Sequence, residues 1–185
     1  MERKKVIYKI SLSGMFIALG LVLPFLTGQI PEVGSMLCPM HIPVLICGFV
    51  CGWKYGLVVG FITPLLRSFI FHMPPLYPGA ISMAFEMATY GMIAGVLYEV
   101  FNNLNKRNIF TNYIILISAM VSGRIVWGIV RFVLSAIDGT FNFTLEIFLS
   151  GAFITAWPGI VLQLILIPVL IVALDKTGLL KKITK

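Results

Sequence analysis

Four ionisable side chains, Arg67, Glu86, Arg124 and Arg131, lie inside otherwise apolar runs of the chain. An ionisable group at the centre of a bilayer costs about 2.5–3.5 kcal/mol on insertion scales. Four of them therefore point to a polar site inside a helix bundle. Arg124 and Arg131 are seven residues apart, with Trp127 and Gly128 between them, so they share one helical face. The planar guanidinium fork suits a carboxylate or a phosphate. Tyr90 follows Glu86 by one turn on the same face. Trp157 stands beside Pro158 and Gly159, where helix irregularity frees backbone groups, and Gln163 lies deeper in that apolar run.

The same residues offer little for catalysis. There is no Gly-x-Ser-x-Gly, no His-Glu-x-x-His, no P-loop and no aspartate-rich membrane motif. Spacing assembles no nucleophile, base and orienting group. Without a P-loop the chain cannot itself supply ATP hydrolysis; if it served active transport, the energy would have to come from partners or from an ion gradient. His41 and His72 are too isolated for a metal site and read as structural residues at the headgroup boundary. Cys38, Cys47 and Cys51 form no Cys-x-x-Cys pair and read as small packing residues. No metal and no cofactor is expected.

Composition sets the class. Of 185 residues, 59% are hydrophobic and 11% charged, whereas a soluble domain carries about 25% charged residues. That leaves too little polar surface for a soluble globule. The expectation is a single domain over residues 1–185, an all-α integral membrane protein. The formal charge of +7 does not signal nucleic acid, because the basic residues sit at the ends and in short gaps. A basic N-terminal stretch (Arg3, Lys4, Lys5, Lys9) precedes an apolar run too long for a signal core, so it reads as a first membrane helix.

Apolar length, set against the roughly 20 residues needed to cross, gives six spans. They run over about Val6–Leu26, Leu37–Gly52, Tyr55–Phe71, Ala80–Val100, Tyr113–Leu134 and Ile147–Leu174. Spans 2 and 3 are short and joined by the tight turn Gly52-Trp53-Lys54-Tyr55-Gly56. Span 6 holds Pro158 and Pro168, so a kink or tilt is expected. With the N-terminus inside, Lys54, Lys106, Arg107 and the lysines from Lys176 to Lys185 all fall on the inner side, and the outer loops hold no Lys or Arg. The reading is a compact bundle of six transmembrane helices with both termini cytoplasmic.

Depth then places the charges. At about 1.5 Å per residue, Glu86 lies roughly 9 Å and Arg67 roughly 7 Å below the outer surface. Arg131 is near the outer end of span 5, and Arg124 is two turns deeper. All four fall in the outer half, which suits a cavity open to the outside. From depth, Arg67 is the natural partner of Glu86, either as a structural pair or as part of the site. That pairing leaves two arginines over for an anionic ligand. The outer loops differ in kind from the inner ones. Loop 1 holds Gln29, Pro31, Glu32 and Gly34, loop 3 is His72-Met73-Pro74-Pro75-Leu76-Tyr77-Pro78-Gly79, and loop 5 holds Asp138, Asn142 and Thr144. They read either as a lid or as stiff connectors.

Span 1 carries Gly14-x-x-x-Ala18, extended by Ser11, a small-residue stripe that lets another helix approach closely, either within the bundle or from another membrane subunit. Together with the run Ile42-Pro43-Val44-Leu45-Ile46-Cys47-Gly48-Phe49 leading into the Gly52–Gly56 turn, this stripe carries a family resemblance over nearly the whole chain. The chain resembles the substrate-binding S component of energy-coupling factor (ECF) transporters, the vitamin-uptake branch of the ABC systems. Members tend to show Ala-x-x-x-Ala in span 1, where this chain has Gly14. Many have Gly-Pro where it has Trp53-Lys54.

The resemblance implies a multi-pass protein of the bacterial plasma membrane that binds one vitamin or related micronutrient at the outer side. Loops 1, 3 and 5 with spans 4–6 would form its site. It implies docking, through Gly14 and Ala18, on a transmembrane T component with two cytoplasmic ATPases, and toppling to release the ligand inside. By span position it maps Glu86, Tyr90, Arg124, Arg131 and Trp157 to the ligand region. Arg67, Trp127 and Gln163 join the candidate set from the residue reading. The alternatives are a small integral membrane enzyme acting on a lipid or isoprenoid intermediate, or an assembly subunit without a ligand. The outer clustering of charge favours a binding subunit.

Overall fold

Helix α1 runs over Glu2–Val22 and tightens into a 3-10 turn at Leu23–Thr27. In the computed structural model the described residues are 2–27, 34, 36–104, 108–139 and 142–177. Most of loop 1, including Gln29, Pro31 and Glu32, lies outside them, as do Lys106, Arg107, Lys181, Lys182 and Lys185. The remaining helices are α2 (His41–Cys51), α3 (Trp53–Phe71), α4 (Ile81–Asn103), α5 (Ile109–Asp138), α6 (Leu145–Leu149) and α7 (Trp157–Lys176). Irregular π-type turns precede α4, at Leu76–Ala80, and follow α6, at Ser150–Ile154. No strand occurs among the described residues.

Five helical stretches are long and apolar enough to cross a membrane, namely Arg3–Leu26, Trp53–Phe71, Leu76–Asn103, Ile109–Asp138 and Trp157–Lys176. The chain is therefore an all-α membrane bundle. The expected second span departs from that pattern. Its regular part, α2, has 11 residues, or about 16 Å of helix, roughly half of a hydrocarbon core. Every residue of α2 is buried. It is hydrophobic all round because it is surrounded by protein. The expected sixth span is also divided: Pro158 stands in the first turn of α7 and helps start the helix, and Pro168 lies buried inside it.

Helix α4 is the central element, packed against α3, α5 and α2. Glycine makes the closest of these contacts possible. A Cβ on Gly48 or Gly56 would stand 2.5 Å from the Gly91 carbonyl oxygen, and one on Gly60 would collide with the Met87 carbonyl. Backbone thus lies directly on backbone between α2, α3 and α4. Gly52 closes the α2–α3 turn at φ +94°, a conformation that side chains disfavour. Below this seam Phe49 meets Tyr98 edge-on at 5.4 Å, inside an apolar core drawn from α2, α4, α5 and α7. Helix α1 is the least buried of the five long helices.

Candidate functional site

The site is built where α2 begins. The chain turns at Cys38, whose backbone is left-handed at φ +46°, and enters α2 at His41. His41 Nδ1 lies 3.1 Å from the Cys38 carbonyl oxygen, so this nitrogen is the protonated one and donates. The Gln163 amide nitrogen, from α7, reaches the same carbonyl at 3.5 Å. Arg124, from α5, directs Nη2 to the Cys38 sulfur at 3.8 Å. Three helices therefore converge on one residue.

Glu86, on α4, is 1% exposed and faces this convergence. Its Oε1 accepts from Arg124 Nη1 at 3.0 Å and from the Tyr90 hydroxyl at 2.8 Å, and His41 Nε2 stands 3.7 Å away. Removing a carboxylate from water is prohibitive unless it is paired and hydrogen-bonded. Arg124 supplies the counter-charge, and Tyr90 supplies a neutral donor from one turn along the same helix. Gly123 makes room for Tyr90, because a Cβ there would overlap its ring. The His41 and Tyr90 rings pack at 5.2 Å.

Among the described residues several polar atoms of this cluster stay unmatched. His41 Nε2, Arg124 Nε and Gln163 Oε1 are buried without a hydrogen-bond partner. Buried polar groups are matched in the great majority of cases, so these three atoms set the cluster apart from the apolar core around it.

The pairing expected from depth does not form. Arg67 is buried, but its Nη1 donates to the Leu21 carbonyl at 2.7 Å, and its guanidinium lies 5.5 Å from the Phe25 ring centre and 5.3 Å from that of Phe71. It covers the C-terminal end of α1, where helix carbonyls lack intrahelical partners and the dipole attracts a cation. Depth alone misled because Arg67 points toward α1, whereas Glu86 points toward α2 and α5.

Arg131 and Trp127 form the next layer outward. Arg131 stacks over Trp127 at 5.4 Å, and Trp127 packs against Phe143 at 5.7 Å and Phe148 at 6.2 Å. Gly128 accommodates the Phe148 ring. Trp157 does not join the site, being 60% exposed. Gly159 and Gln163, four residues apart, form the inward face of α7, with Gly159 against the carbonyls of Met36 and Leu37. Trp157 is two residues before Gly159 and so points to the other side.

Of the residues singled out in the sequence, Glu86, Tyr90, Arg124 and Gln163 are thus brought together, Trp127 and Arg131 border them, and Arg67 and Trp157 stand apart. Cys38 and His41 belong to the cluster although sequence reasoning assigned them to packing and to the headgroup boundary. Their signal was positional: a titratable ring opening an apolar run that has no exposed face. His72 ends α3 in a left-handed conformation and is exposed. On α1, Gly14 and Ala18 are both exposed, and a Cβ at Gly14 would meet nothing within 4 Å.

No group of three His, Cys, Asp or Glu side chains gathers to hold a metal among the described residues. The cluster offers charge, hydrogen bonds and aromatic walls inside a membrane bundle. A family model described as "ECF transporter, substrate-specific component" matches residues 9–171. The chain belongs to that family and is a transport subunit, not an enzyme. No curated protein and no solved structure matches it.

Proposed function

We propose that this protein captures a vitamin or related micronutrient at the outer face of the bacterial plasma membrane and hands it inward in an ATP-driven uptake complex. The observation that carries the reading is the buried Glu86–Arg124 pair, with the unmatched atoms of His41, Arg124 and Gln163 around it. A bundle whose polar groups served packing alone would satisfy them internally. The topology that goes with the reading has six membrane-embedded segments, α2 included, and both termini on the cytoplasmic side. The basic residues of the termini and of Lys54 support that orientation.

Energy comes from partners. The partners are a transmembrane T component and two cytoplasmic ATPases, met through the open face of α1 at Gly14 and Ala18. The exposure of both residues supports this role, because small residues let a partner helix come close. Ligand capture is tested on the purified chain, without nucleotide, by thermal-shift screening over vitamins and their precursors. At least one compound is expected to raise the melting temperature, and Arg124→Ala is expected to abolish that shift while Lys106→Ala preserves it. Equal effects of the two substitutions would sink the assignment.

A further inference from the structure

The charge balance of the site narrows the ligand, on the reading that the cluster around Glu86 is where the ligand binds. Arg67 is directed to the Leu21 carbonyl and two aromatic rings, away from the cluster. Arg124 is neutralised by Glu86 at 3.0 Å. That leaves Arg131. Its Nε is buried without a hydrogen-bond partner among the described residues, its guanidinium rests on Trp127, and it lies within the field of Glu86. Among the described residues the site therefore presents one guanidinium that no carboxylate pairs. In a medium of low dielectric, a ligand with a single negative charge completes the balance, whereas a phosphate dianion leaves an excess.

The orphan atoms specify the rest. His41 Nε2 faces the Glu86 carboxylate at 3.7 Å and is turned to it rather than to a ligand. Gln163 Oε1 is a buried acceptor without a partner. It calls for a donor on the ligand. Arg124 Nε offers it one donor. Arg131 is seven residues from Arg124 on the same helix, about 10 Å along the axis. We propose that the ligand is a small monocarboxylate, with its carboxylate on Arg131 and an amide or hydroxyl donor reaching Gln163. Phosphorylated and uncharged relatives are rejected.

Two measurements test this. First, the chain is purified from membranes of cells grown in rich medium, and the small molecule it carries is released and identified by mass spectrometry. A compound with one acidic group supports the proposal. A neutral or phosphorylated compound overturns it and leaves the binding function standing. Recovery of no small molecule, with no thermal shift in the vitamin screen, overturns both.

Second, affinities are measured calorimetrically for matched triples: pantothenol, pantothenate and phosphopantothenate; pyridoxine, pyridoxate and pyridoxal phosphate. In whichever triple binds, the monocarboxylate is expected to be at least about tenfold tighter than the other two. Arg131→Gln is expected to weaken it about tenfold to hundredfold, and Arg131→Lys less. Preference for the neutral or phosphorylated member, or an unchanged affinity in Arg131→Gln, overturns the charge assignment. Glu32 lies outside the described residues, and Glu32→Gln is expected to leave the preference for a single charge intact. A switch to the phosphorylated member in that variant also overturns it.

Discussion

Glu86→Gln is the most informative perturbation of the cluster. The amide keeps the shape of the side chain and removes its charge. Arg124, 7% exposed, then carries a positive charge with no other counter-ion in reach among the described residues, and it cannot discharge by losing a proton. Breaking a buried pair in this way costs about 3–5 kcal/mol. For a chain of 185 residues that corresponds to a fall in melting temperature of about 6–20 °C. Arg124→Gln is expected to cost less, because the stranded Glu86 can take up a proton. The double variant Glu86→Gln/Arg124→Gln is expected to be more stable than Glu86→Gln alone, giving a coupling energy of about 2 kcal/mol or more in a double-mutant cycle. The assay is thermal unfolding in mild detergent or bicelles, followed by intrinsic fluorescence. If Glu86→Gln melted within about 2 °C of the parent, or the two single effects simply added, the ion pair would carry no energetic weight.

Other expected outcomes follow from the packing. Gly60→Val forces a side chain against the Met87 backbone and is expected to lower stability by about 1–3 kcal/mol or more, read by the same melting assay. Ala18→Trp, on the exposed face of α1, is expected to leave vitamin-induced stabilisation unchanged and to block co-purification with the T component; intact complexes would refute that face as the contact. Trp157→Ala is expected to change affinity less than about twofold, because the indole points away from the cluster. Arg67→Gln leaves the end of α1 uncovered and is expected to destabilise the bundle by about 1–3 kcal/mol without altering ligand selectivity, as checked by melting and calorimetry together.

Much of this architecture is legible in the sequence because lipid imposes simple rules. Apolar length located α1, α3, α4 and α5 to within a few residues and the end of α7, though not its start, and the cost of burying charge picked out Glu86 and Arg124. What depth and length cannot encode is direction. Arg67 and Glu86 lie at similar depth, yet the long Arg67 side chain reaches the Leu21 carbonyl at the end of α1, a partner that depth does not name. The same limit explains Trp157, whose neighbour Gly159 is the residue that faces inward. Cys38 and His41 escaped because their role depends on a left-handed turn and on three separate helices meeting there. The shortness of α2 was also hidden, since a wholly apolar run reads alike whether lipid or protein surrounds it.

The glycine seam has a mechanical consequence. Where backbone rests on backbone, there are no rotamers to rearrange, so α2, α3 and α4 have little means of sliding past one another. They behave as a single stiff block, with Glu86 and His41 fixed to it. Compliance is left to the parts with irregular backbone or few neighbours: the end of α1, and the broken stretch from α6 to the start of α7. A rearrangement of the bundle is then expected to move α2, α3 and α4 together and to take up its strain at those irregular stretches.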